Sequence, residues 1–232
     1  RNWVALPGTP VNPTVSNVFG YSLPAGETSS SATLVELYGQ GSSISATGAF
    51  FRGSANGRWQ WSLGGSGYAD DAELPIDQGF LVNLPGGSSR YLALVGELRT
   101  NTETVVIGGR GRTFVSVLLP GNMHPKDMNL AESGFEAVVT PFPMPSQLGD
   151  RIMMWDRTNQ RLRDGRYIFY HKPGGQPEGT WRWSTAPSYP AVQDYERPIK
   201  QDDALLIYRR IGANFTWTNQ IYYVPPTSSM EP

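Results

Sequence analysis

The hexapeptide Gly57-Arg58-Trp59-Gln60-Trp61-Ser62 returns as Gly179-Thr180-Trp181-Arg182-Trp183-Ser184. Residues two apart in a strand share one face, so each tryptophan pair projects to a single side. The simplest reading is one interior strand used twice, with Trp59, Trp61, Trp181 and Trp183 as repeat core. A platform for stacking sugar rings is the other use of such a pair, since aromatic rings offer an apolar face.

The match extends outward from the tryptophans. Upstream, the strand-like Leu34-Val35-Glu36-Leu37-Tyr38 answers Arg151-Ile152-Met153-Met154-Trp155; downstream, Phe80-Leu81-Val82 answers Ala204-Leu205-Leu206-Ile207. The openings also agree, Val4-Ala5-Leu6-Pro7-Gly8 with Val117-Leu118-Leu119-Pro120-Gly121. Anchors recurring in one order predict an internal duplication. The expected organisation is an extended arm over 1–15, a first β repeat over 16–112, a second over 113–225 and a tail over 226–232. A chain of 232 residues suits two small domains. No low-complexity linker separates the halves at Arg110-Gly111-Arg112, so they are expected to pack on each other.

Runs such as Gly79-Phe80-Leu81-Val82, Tyr91-Leu92-Ala93-Leu94-Val95 and Thr104-Val105-Val106-Ile107 are short, β-rich and bounded by Gly, Pro, Ser or Asn. The expected fold class is all-β, with two tandem duplicated β-sandwich or barrel-like modules and one short helix in each. Those helices are expected at Ser16 to Gly20 and Pro125 to Gly134, with Ser16 and Asp127 as caps and glycine at the end.

Several stretches carry a resemblance: Trp3-Val4-Ala5-Leu6-Pro7-Gly8-Thr9-Pro10, Val18-Phe19-Gly20-Tyr21-Ser22-Leu23-Pro24-Ala25-Gly26, Leu148-Gly149-Asp150-Arg151-Ile152-Met153-Met154-Trp155-Asp156, Gly179-Thr180-Trp181-Arg182-Trp183 and the strand after Gln201-Asp202-Asp203. Together they resemble the secreted two-repeat β proteins abundant in Verrucomicrobia-type bacteria. The first half departs from the pattern where Tyr38-Gly39 stands in place of the aromatic-Asp step at Trp155-Asp156. The resemblance implies export and a β fold, and implies no activity.

Nineteen basic and 20 acidic residues leave a net charge of -1, which gathers neither nucleic acid nor an anionic membrane. No apolar run approaches the ~20 residues of a membrane span. The opening Arg1-Asn2-Trp3 reads as a processed form, which places the protein outside the cell or at its surface after signal-peptide removal. The absence of cysteine excludes disulfides, thiolate metal sites and a Cys nucleophile.

His124 and His171 fall at non-equivalent positions, in a loop and a turn, without further ligands at metal spacing, so no metal site is expected. Asp70-Asp71 with Glu73, and Asp202-Asp203, occupy matched loops that suggest calcium, but their spacing fits no EF-hand or nonapeptide pattern and they are read as solvated carboxylates. Gly108-Gly109-Arg110-Gly111-Arg112 lacks the Gly-Lys-Ser/Thr ending of a phosphate loop and precedes a strand; it is read as the inter-repeat turn. No catalytic residues, no cofactor and no enzyme activity are expected.

The arm remains. Trp3, Val4, Leu6, Val11 and Val15 are spread among Pro7, Pro10 and Pro13, which favours an extended chain over a helix. An apolar extended arm suits strand donation to a neighbouring copy. The expected function is a structural subunit of a filament, sheath or surface layer, with the chain itself as partner. The alternative is a carbohydrate-binding or adhesive surface module, with Trp217, Tyr222 and Tyr223 facing a surface polysaccharide.

Overall fold

The structure, a computed structural model, describes residues 2–4, 9–10, 12–38, 46–75, 80–87, 96–97, 103–116, 123–139, 149–156, 161–174, 176–184, 192–194, 198–199, 204–210 and 212–219. The first half runs β1 (Asn2–Val4), β2 (Thr9–Pro10), α1 (Val15–Phe19), β3 (Leu34–Tyr38), β4 (Ala46–Arg52), β5 (Trp59–Leu63), β6 (Phe80–Asn83) and β7 (Gly96–Glu97). The second runs β8 (Glu103–Ile107), β9 (Gly111–Ser116), α2 (Leu130–Ser133), β10 (Arg151–Asp156), β11 (Arg161–His171), β12 (Thr180–Ser184), β13 (Val192–Asp194), β14 (Ala204–Arg209) and β15 (Phe215–Asn219). The protein is all-β, with antiparallel strand pairing throughout the described sheets.

Of the two larger sheets, the first has the order β1-β6-β3-β4-β5 and the second β13-β12-β11-β10-β14-β9, and β15-β8 and β2-β7 form two-stranded sheets. Read from β9, the second sheet repeats the order of the first and adds β13 at its far edge. Side chains in both obey the two-residue period of a strand. On β6, Phe80 and Val82 face the first core while Leu81 faces away; on β14, Leu205 and Ile207 face the second core while Leu206 faces away.

Each core lies between a sheet and a short helical segment. Val15, Val18 and Phe19 of α1 pack on Val35, Phe50, Trp59 and Phe80. The Phe19 ring is 5.8 Å from Trp59 and 6.2 Å, edge-on, from Phe80. In the second half Met128, Leu130 and Phe135 pack on Ile152, Ile168, Trp181 and Ile207. The outward-facing Tyr38, Leu81, Phe114, Met153 and Leu206 form a third cluster that joins the sheets, with Tyr38 and Phe114 rings 5.3 Å apart.

Several boundaries differ from the sequence reading. Thr14, in extended conformation, holds the N-cap position of α1 in place of Ser16, because Val15 is drawn into the first turn by its complete burial. Gly20 ends that helix at φ 61°, where a side chain is disfavoured. The second helix is split: a 3-10 turn at Pro125–Asp127 precedes α2, and Asn129 between them is left-handed at φ 53°. Asp127 therefore sits inside the 3-10 turn and does not cap α2. The change of core also falls earlier than Arg110. Val105 and Ile107 of β8 belong to the second core, because β8 pairs with β15 along five residues.

Candidate functional site: the arm edge and a tyrosine surface

The arm begins as an edge strand. β1 pairs antiparallel with β6 through Asn2–Val82, Trp3–Leu81 and Val4–Phe80, and β2 pairs with β7 through Thr9–Glu97 and Pro10–Gly96. Trp3 and Val4 thus lie in a sheet, whereas Leu6 and Val11 fall outside the described residues. Val15, grouped with the arm by its apolar character, belongs to the body: it lies in α1 and is fully buried. Its amide donates to the Ala72 carbonyl at 3.0 Å, which fixes where the arm ends.

The tryptophan pairs sit on matching strands. Trp59 and Trp181 are buried, while Trp61 and Trp183 are partly buried against the same respective cores. The Trp61 ring lies 4.5 Å from Phe50. Trp217 is not a surface aromatic: it is only 1% exposed, and its indole N–H donates to the Met128 carbonyl at 2.6 Å. The cause is the two-residue period of β15, which alternates Phe215 and Trp217 with Thr216 and Thr218 and turns the aromatic side inward. Tyr222 and Tyr223 lie outside the described residues, as do Asp202 and Asp203.

Asp70 is no solvated loop carboxylate. It is buried, and its Oδ1 accepts the Trp59 backbone N–H at 3.2 Å and the Tyr21 hydroxyl at 2.9 Å. Its Oδ2 accepts Arg58 Nε at 2.7 Å. Burial alone would raise this carboxyl's pKa, but the Trp59 amide, Tyr21 and Arg58 together outweigh it and hold the group below its ordinary value. The main chain here is also engaged, with Ser16 N–H donating to the Asp70 carbonyl and Ala69 N–H to that of Trp59. This loop is a clasp between α1 and the edge strand β5, and both carboxylate oxygens are already used.

The second buried carboxylate is Asp150. Its Oδ2 accepts the Glu136 N–H at 2.8 Å and lies 3.1 Å from Arg209 Nε; Oδ1 accepts the Arg210 N–H at 3.3 Å. Burial is the dominant influence and raises its pKa despite these partners. His171 is likewise no turn residue: it ends β11 and is buried, pairing with Thr180 across the ladder. His124 precedes the 3-10 turn as a partly exposed loop residue.

A surface that the sequence reading missed surrounds the Asp70 clasp. Tyr21 and Tyr68 are 53% and 54% exposed, the two most exposed tyrosines among the described residues. The Arg58 guanidinium stands 4.1 Å from the Tyr68 ring centre, Arg52 stands 5.1 Å from that of Tyr21, and Asn56 donates to the Tyr68 hydroxyl at 3.0 Å. Arg58 is raised in pKa chiefly by its hydrogen bond to Asp70. The result is a pair of exposed rings separated by fixed hydrogen-bonding groups.

Comparison with protein-family models, with curated proteins and with solved structures finds no match. Function is therefore read from the geometry. Among the described residues no helix is long and apolar enough to cross a membrane, and no three His, Cys, Asp or Glu side chains cluster for a metal ion.

Proposed function

We propose that the protein is a non-enzymatic structural subunit of an extracellular assembly, produced by an internal duplication and joined to its neighbours by exchange of the β1 arm. The supporting observation is the unequal hold on two corresponding strands. β9 meets β14 through six residue pairs, whereas β1 meets β6 through three. Pro7, Pro10 and Pro13 tether β1 to α1 and favour an extended path.

An arm from a neighbouring copy makes the same main-chain bonds to β6 as the chain's own arm. Exchange thus costs little in contacts, and its outcome depends on concentration. Repeated head to tail, the contact does not close and grows a filament. The test is negative-stain electron microscopy with light scattering, on the full chain and on a chain lacking residues 1–13. Filaments or sheets that disappear with the deletion are expected; discrete monomers in both samples would reject the assembly role.

The tyrosine surface favours a second reading, a carbohydrate-binding or adhesive module. Exposed rings flanked by Arg58 and Asn56 suit sugar stacking combined with hydroxyl recognition. A saturable fluorescence change with a polysaccharide, lost in Tyr68→Ala, is its expected signature. Silence across a broad glycan panel counts against it.

A further inference from the structure

The second sheet carries a row of cations that its fold does not demand. Arg112 on β9 pairs with Tyr208 on β14, and Tyr208 pairs with Arg151 on β10, so the three side chains form one cross-strand row on one face. Arg210 lies two residues beyond Tyr208 and joins them around a cleft of about 370 Å³, with Met153 as its apolar wall. The Arg112 and Arg151 guanidinium carbons stand 5.6 and 5.7 Å from the Tyr208 ring centre, and Arg151 is also 4.7 Å from that of Tyr167.

These rings orient the guanidiniums without neutralising them. Arg112 Nε, Arg151 Nε and Arg210 Nη1 are buried and have no hydrogen-bond partner among the described residues. Among the described residues the ion pairs are Arg58–Asp70 and Arg209–Asp150, and neither involves these three arginines. The adjacent Asp150 is committed to Arg209 and two backbone amides. Gathering three cations in one partly desolvated cleft costs energy unless an anion accompanies them.

The first sheet shows that packing does not require the row. Where the second sheet sets Arg151 opposite Tyr208, the corresponding strands of the first set Leu34 opposite Asn83. A strand pair of this kind is thus complete without charge.

We propose that the cleft of Arg112, Arg151, Arg210 and Tyr208 binds a sulfate- or phosphate-type oxyanion, free or carried as an ester on a larger molecule. A tetrahedral group offers oxygens in several directions and so reaches three guanidiniums, whereas a carboxylate offers two oxygens in one plane. The cleft also has the volume of a small-molecule pocket, well beyond that of a lone ion, which leaves room for the ester's carrier.

Isothermal titration of the full chain at constant ionic strength, with chloride as background, tests this. Sodium sulfate, sodium phosphate, dextran sulfate and uncharged dextran are the probes. Saturable binding of at least one of the three anionic probes, weakened about tenfold by each of Arg112→Gln and Arg151→Gln but unchanged by Lys126→Gln, is expected. Dextran sulfate binding more tightly per sulfate than the free ions assigns the ester; equal strength assigns the free ion. Absence of saturable binding by any anion overturns the proposal, as does binding that survives both arginine substitutions together. Should those variants misfold by circular dichroism, arginine Nε–H resonances of the unaltered chain decide instead. Titration that leaves the Arg112 and Arg151 signals unmoved overturns the site.

Discussion

Asp70 and Asp150 are both buried carboxylates, yet they respond to pH in opposite senses. Asp70 has a lowered folded pKa, so its stabilisation is present above the unfolded value, near 3.8, and is lost as pH falls through the folded value. Asp150 is raised, so the fold favours its protonated form; that contribution is present below the unfolded value and is lost as pH rises through the folded one. Asp70→Asn should lower stability by about 1–3 kcal/mol at neutral pH and flatten the acid limb of a denaturation series. Asp150→Asn keeps the neutral form that burial favours, so it should cost only about 1–3 kcal/mol, from an amide nitrogen that replaces an oxygen accepting the Glu136 or Arg210 N–H. Urea denaturation from pH 3 to 7 checks both. Neither role was legible in the sequence: Asp70-Asp71 read as solvated loop carboxylates, and Asp150 stood only as part of the stretch that carries the family resemblance. Burial of Asp70 depends on Tyr21, 49 residues away, and no local pattern records that contact.

At the scale of elements, much more was legible. Short β-rich apolar runs mark β3, β6 and β14, the alternation of apolar and polar residues marks β5, and the doubled tryptophan strand proves to be β5 and β12, third in line from β6 and β14 respectively. The same alternation, applied to Phe215-Thr216-Trp217-Thr218, contains the signal that Trp217 is interior; grouping it with the neighbouring tyrosines obscured it. Strand partners were not legible, because pairing is set by contacts between distant segments. The arginine row went unseen for that reason: Arg112, Arg151 and Tyr208 are far apart until register aligns them. Close packing around β5 gives a prediction at this scale. A Cβ on Gly65 would meet the Trp61 ring at 2.5 Å, so Gly65→Ala should displace that ring and cost about 1–3 kcal/mol. A shift in tryptophan fluorescence at unchanged far-ultraviolet dichroism is its signature.

For the whole molecule, the decisive contact is the outward cluster between the sheets. Leu81, Phe114 and Leu206 are all less than 5% exposed, so each sheet is covered on both faces there, once by its own helical segment and once by the other sheet. Phe114→Ala should cost about 3–5 kcal/mol and weaken coupling between the halves, seen as two separated unfolding transitions where the unaltered chain shows one. The second half has a further property. Its first strand, β8, lies beside its last, β15, with Glu103 opposite Asn219. A unit that enters and leaves at neighbouring points can be spliced into a loop of another protein, or have its ends joined and reopened elsewhere, without disturbing its interior. Residues 103–219 can in this sense have their ends joined and be reopened elsewhere, while excision would bare Phe114 and Leu206, which Leu81 covers in the whole chain.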